Sequence, residues 1–170
     1  MMLRLFGAAL IVASCSGFGF YIAARYKKEV FCLRKLSAII QFIEWELEYR
    51  LTPLPQVCSS IADKTRFYFS AVFRDLGNAL SFQISPDVAM CMHNILLSQN
   101  DIPQLSRHYL EILGETLGEY DVDGQLKSLA QLRQSINNHL DEMKEGQKER
   151  LRCYQTLGVC AGAALAILFV

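Results

Sequence analysis

The amino-acid sequence predicts an all-α protein, a multi-helix bundle flanked by N- and C-terminal transmembrane helices. Three observations predict it. Residues 5–24 and 154–170 carry no charged side chain. Between them, apolar residues recur at alternating spacings of three and four, the period of a helix with one buried face. Proline, glycine and capping residues punctuate that stretch at short intervals, and no segment alternates apolar with polar residues as a half-buried strand does. The apolar fraction, 52%, is above that of an ordinary soluble chain, and the excess sits at the two ends.

The first run, as a helix, reaches roughly 30 Å, the thickness of a bilayer core. Val12-Ala13-Ser14-Cys15 resembles a bacterial lipoprotein cleavage box. A cleaved leader would turn polar after Cys15, whereas this run stays apolar through Gly17, Phe18, Gly19, Phe20, Tyr21 and Ile22. Arg4 is also the lone basic side chain before it, so an uncleaved helix is the better reading. The second run spans roughly 26 Å and lacks the polar face that a buried helix of a soluble domain would carry. Arg25, Lys27, Lys28, Arg34 and Lys35 follow the first run; Lys144, Lys148, Arg150 and Arg152 precede the second. Lys and Arg stay on the cytoplasmic side. The chain therefore divides into an N-terminal transmembrane helix (1–26), a cytoplasmic helical bundle (27–152) and a C-terminal transmembrane helix (153–170), with both termini outside. Ala13 and Gly17 in the first run, and Gly158, Gly162 and Ala166 in the second, have the small-residue spacing that lets membrane helices pack closely. The alternative is the ordinary glycine and alanine content of spans.

Within the bundle, residues 28–50 form a helix with Leu33, Leu36, Ile40, Ile43 and Leu47 on its seam, running on from the first span with no Gly or Pro between. Its far end carries Glu44, Glu46 and Glu48, where acids oppose the helix dipole. Glu44 and Glu48, four apart, repel each other. They read either as a solvated face partly offset by Arg50 or as a contact for a basic partner surface. Thr52 suits an N-cap and Pro53 the first position of a helix to about residue 64. A third helix covers about 69–82, with Phe69, Val72, Phe73 and Leu76 on one side. Ser85-Pro86 opens a fourth, to about 99. Asp101-Ile102-Pro103 opens a fifth that ends at Leu117-Gly118, where Gly118 suits a left-handed position. Asp121 caps the last helix, which turns Leu126, Leu129, Leu132, Ile136, Leu140 and Met143 inward. Residues 144–152 form a polar helical neck. The first and last helices both enter the membrane, so they should lie side by side. About 125 residues suffice for a core.

The chemistry on offer is sparse. The 17 basic residues balance the 17 acidic ones, which points away from nucleic acid. The six cysteines include no C-x-x-C pair; neither a disulfide framework nor a zinc site is predicted, and the usage fits a reducing compartment. His93, His108 and His139 fall on three different helices. No metalloprotease, phosphate-loop or serine-hydrolase motif is present. Asp121 and Asp123 are explained by a helix cap and first turn. Trp45 and Tyr49 read as core or interface aromatics. No catalytic residue and no cofactor is expected.

Three short blocks nonetheless form a pattern. Glu46-Leu47-Glu48-Tyr49 with Thr52-Pro53-Leu54-Pro55 is the first; Leu113-Gly114-Glu115-Thr116-Leu117-Gly118 with Asp121 and Gln125 is the second. Tyr154-Gln155-Thr156-Leu157-Gly158 is the third. Together they resemble the stage III sporulation protein AB family over essentially the whole chain. Arg50-Leu51 depart from it, standing where a small residue or glycine is expected. The resemblance implies a cytoplasmic domain similar to the F-component platform of type II secretion and pilus machines. It implies a place in the mother-cell membrane, in the channel apparatus between mother cell and forespore. The partners it implies are a cytoplasmic secretion-type ATPase, the stage III sporulation protein AA, with other channel membrane proteins, lipid and self-association. Tyr49, Thr52, Pro53, Leu54, Gly114, Leu117, Gly118, Asp121 and Gln125 would be structural motif residues. A membrane-tethered adaptor for a soluble signalling protein is the competing function; a membrane enzyme is disfavoured by the absent motifs.

Overall fold

A computed structural model describes residues 2–66, 68–82, 87–117 and 122–144, with residues 2–20, 22 and 23 described as backbone alone. Every regular element among them is helical. Helix α1 runs Met2–Trp45 and passes into a π-helical turn, Glu46–Arg50. There follow α2 (Leu54–Lys64), α3 (Tyr68–Ser81), α4 (Val88–Ser98), α5 (Gln104–Thr116) and α6 (residues 122–144). The first apolar run lies within α1 without a break, as predicted. Among the residues described in full, no helix is long and apolar enough to cross a membrane. Most side chains of the first predicted span, with Ala13 and Gly17, lie outside that set. So do residues 153–170 with Gly158, Gly162 and Ala166, and the turn residues Gly118 and Asp121.

The chain divides into two compact units. One holds the residues up to Val30 and those from Leu140 onward; the other is Phe31–His139. In the first unit the Tyr26 hydroxyl donates to the Met143 carbonyl. In the second, the core is built from the seam the sequence predicts. Leu33, Leu36, Ile40 and Ile43 of α1 are buried, and Leu47 is half-buried. Cys32 and Ile39 widen the stripe, as a helix enclosed by neighbours requires more than a two-residue heptad seam. Phe69, Val72, Phe73 and Leu76 of α3 are buried at spacings of three, one and three. Val57, Cys58 and Ile61 of α2, Met92 and Leu96 of α4, Leu110 and Leu113 of α5, and Leu129, Leu132 and Ile136 of α6 complete the core. Each such side chain stabilises the fold by about 1.5–3 kcal/mol when fully buried. Leu126 and Met143, expected inward, are half-buried.

Successive short helices pack on one another, α2 on α3, α3 on α4 and α4 on α5. Gly77 sits in the α2–α3 contact, where an added Cβ would lie 3.3 Å from both the Cys58 Cβ and the Pro55 carbonyl oxygen. The Ser70 hydroxyl donates to the Ala62 carbonyl at 2.8 Å and closes the α2–α3 corner. Helices α1 and α6 run antiparallel in this unit. The Ser37 hydroxyl donates to Asn137 Oδ1 at 2.9 Å, and Arg133 Nε lies 3.0 Å from the Glu44 carboxylate. The expected neighbourhood of first and last helices is thus present.

The helix starts differ by a residue or two from those read in the sequence. Helix α2 begins at Leu54 with Pro53 in the cap position and Pro55 second, so Thr52 is not the cap. Its hydroxyl is used elsewhere, on Glu46. Two prolines in the first turn remove donors that would have no helical partner, so the helix starts without a side-chain cap. Helix α4 begins at Val88, and its cap is Asp87, whose Oδ1 accepts from the Ala89 N–H at 2.9 Å. Ser85 and Pro86 lie outside the described residues. The C-terminal end of α4 is closed by Arg107, whose guanidinium donates to the carbonyls of Leu96, at 2.8 Å, and Gln99. A cation there satisfies unpaired carbonyls and opposes the helix dipole.

Candidate functional site

The end of α1 turns into α2 through a built corner. Glu46–Arg50 form one π-helical turn, a local widening that recurs at functional sites. Leu51 then adopts φ 50°, ψ 36°, the left-handed conformation that ends many helices. It is the one non-glycine residue with positive φ among those described. The conformation places Cβ against the following carbonyl and costs roughly 1–2 kcal/mol. This is the physical reason a small residue or glycine is expected at the departure from the family pattern. Leu51 is 70% exposed and has little packing to lose. Leu51→Gly is therefore expected to raise stability by up to about 1 kcal/mol, read as a higher Tm by circular dichroism of the purified chain.

Glu46 locks the corner from inside. It is buried, its Oε2 accepts from the Thr52 hydroxyl at 2.8 Å, and Arg50 Nη1 lies 3.6 Å from its Oε1. The Arg50 guanidinium also stacks over the Trp45 ring, 4.9 Å from its centroid. Trp45 and Tyr49 lie with centroids 6.2 Å apart. Both are exposed, by 44% and 67%: they are surface aromatics, which decides between the core and interface readings in favour of surface. Sequence reasoning grouped Glu46 with a solvated face. The signal that it is buried was present, since it stands three residues after Ile43 on the side that also carries Ile39.

The proposed pair of docking acids separates. Glu44 is only 14% exposed at its side chain and forms an ion pair with Arg133, whose Nε lies 3.0 and 3.1 Å from its two oxygens. It braces α1 on α6. Glu48 is exposed and makes no ion pair among the described residues. The remaining motif residues have packing roles. Gly114 faces α4, where a Cβ would lie 2.7 Å from the Met92 Cβ. Leu117 is buried at the end of α5, Leu54 is half-buried at the start of α2, and Gln125 is half-buried on α6.

Among the described residues no group of three or more His, Cys, Asp or Glu stands together as a metal set. His93 Nδ1 is 3.9 Å from Glu111, exposed; His139 Nδ1 is 2.8 Å from the Tyr109 hydroxyl; His108 sits beside the Tyr109 ring. Cys32, Cys58 and Cys91 are buried, and none of the three is in a disulfide. Burial pushes the Cys58 thiol from about 9 up to about 12. Between those values the native chain holds a proton that the unfolded chain has lost, so this group's contribution to stability falls as pH rises across the window. At pH 8 its thiolate is scarce, and Cys58 is expected to resist maleimide in the native protein and to react after denaturation.

The chain matches, over residues 4–170, the family model described as Stage III sporulation protein AB. It is 27% identical over 172 residues to the Stage III sporulation protein AB of Bacillus subtilis (strain 168), covering 99% of this chain and 100% of that relative. A solved structure of a Stage III sporulation protein AB aligns at 22% identity with a TM-score of 0.63, over 72% of this chain and 98% of that one. That last match is a likeness of fold.

Proposed function

The chain belongs to the stage III sporulation protein AB family, and on that premise we propose that it is a non-enzymatic membrane platform. It acts during sporulation in the mother-cell membrane, on the side of the forespore envelope. Its bundle lies in the cytoplasm between two transmembrane helices and receives a cytoplasmic secretion-type ATPase, coupling it to a secretion-like channel between mother cell and forespore. The observation that carries this reading is α1. One uninterrupted helix, Met2–Trp45, supplies both the first predicted span and the seam of the core. At 1.5 Å per residue it is about 66 Å long. A motor bound to the bundle would thereby pull on a membrane helix through continuous backbone hydrogen bonds. The lack of catalytic motifs is in keeping with a role in holding and coupling. Crosslinking followed by affinity purification of the intact chain from sporulating cells tests it. The ATPase and channel membrane proteins are expected in the purified material. Recovery of a soluble signalling protein in their place would favour a membrane-tethered adaptor instead.

A further inference from the structure

We propose that the α1–α2 corner, with Trp45, Tyr49 and Leu51 around Glu48, is a docking surface for a cytoplasmic protein presenting an apolar pocket rimmed by a lysine or arginine. The inference rests on the platform reading and says where on the bundle its partner sits. Three of the large apolar side chains left exposed fall within seven consecutive residues, 45–51. Tryptophan and tyrosine are the residue types that dominate protein contacts, because they bury much area at little entropy cost. Leu51 adds a reason of its own. A bulky side chain is held at a backbone conformation that glycine would adopt freely, and at 70% exposure it gains little packing in return. Backbone strain held at an exposed corner is a pointer to function.

Charge selects the partner. Of the three acids at the end of α1, Glu44 is spent on Arg133 and Glu46 on Arg50 and Thr52. Glu48, next to Tyr49 in the chain, makes no ion pair among the described residues. Arg50, 63% exposed at its side chain, pairs with the buried Glu46 and stacks on Trp45, so the formal charge that remains at the corner is that of Glu48. A basic rim on the partner would meet it, while an acidic or anionic-lipid surface would be repelled. The corner is also pre-arranged by the Glu46–Thr52 bond, so docking need not order it first.

The test uses the full chain in membranes of sporulating cells, with the photo-crosslinking residue benzoylphenylalanine at Tyr49, and at Phe82 and Leu97 as exposed apolar controls. The expected result is a protein adduct at Tyr49 and not at the controls. Its crosslinked peptide, identified by mass spectrometry, should border a Lys or Arg. Glu48→Lys should lower the adduct by about tenfold, one charge pair at roughly 1.4 kcal/mol. Replacing the bordering partner cation by Glu should restore it. Glu48→Lys leaves folding intact, since an exposed cation in the last turn suits the helix dipole, and circular dichroism checks this. An adduct to lipid or to a second copy, equal adducts at the controls, or a yield indifferent to Glu48→Lys would each overturn the proposal. If the ATPase still co-purifies in those cases, the platform reading survives and only this docking site falls.

Discussion

Gly114→Val is expected to destabilise the chain by about 2–3 kcal/mol, the upper part of the range for an overfilled core. Helices α4 and α5 approach so closely that a Cβ on Gly114 would lie 2.7 Å from the Met92 Cβ, 3.0 Å from its Cγ and 3.5 Å from the Ala89 Cα. A Cβ is fixed to the backbone and cannot swing aside, so the helices themselves must part. Gly114→Ala is the sharper test of sign. In an open mid-helix site that change would gain about 1 kcal/mol in propensity. Here the clash outweighs the gain, and a net loss of roughly 1 kcal/mol is expected. Met92→Ala should not relieve it, because the Cβ remains. Denaturant titration by circular dichroism reads both, as a lower midpoint at unchanged slope. A Gly114→Ala variant more stable than the parent would show that the α4–α5 contact is looser than described.

Glu44→Lys should cost about 2–3 kcal/mol, although it stands four residues from an acid whose reversal costs almost nothing. Its carboxylate is largely enclosed and accepts from the Arg133 guanidinium; a lysine there sets two cations against each other. The figure is held down because Arg133 remains 34% exposed and part of the repulsion is screened. Glu44→Gln keeps the shape and one acceptor and should cost about 1 kcal/mol. Combining Glu44→Lys with Arg133→Glu should recover most of the loss, and such a cycle isolates the pair from everything else the side chains touch. Glu48→Lys should stay within about 0.5 kcal/mol of the parent. Equal losses for Glu44→Lys and Glu48→Lys would mean that both acids are merely solvated.

These two glutamates also show how far the sequence could be read. The helices were legible because period-3.6 burial is written into residues such as Leu33, Leu36, Ile40 and Ile43, and because Pro53, Pro55 and Pro103 mark starts. The side-by-side arrangement of α1 and α6 followed from topology. What charge patterning could not reveal was the partner of each acid. Arg133 is 89 positions from Glu44, and only the bundle brings them together. The cap of α4 differs from the expected one for a local reason: Ser85-Pro86 and Asp87 both carry start signals, and the hydrogen bond from Ala89 decides for Asp87. The corner was half legible. Its departure at Arg50-Leu51 marked a turn that prefers a small residue, and the spacing of Glu46 from Ile39 and Ile43 carried its burial, but the π-helical turn itself is not anticipated by α-helical spacing.

In the proposed topology a helical bundle is held on the cytoplasmic side of a membrane by its two ends. Native thiols report this poorly, since Cys32, Cys58 and Cys91 are buried. An Asn78→Cys variant places a thiol on the exposed side of α3. The chain is expressed in non-sporulating cells, treated with a membrane-impermeant maleimide before and after permeabilisation, and recovered from carbonate-washed membranes. The chain is expected to stay with the washed membranes, and the thiol at position 78 to be labelled only after permeabilisation. Full labelling in intact cells, or release of the chain by the carbonate wash, would contradict it.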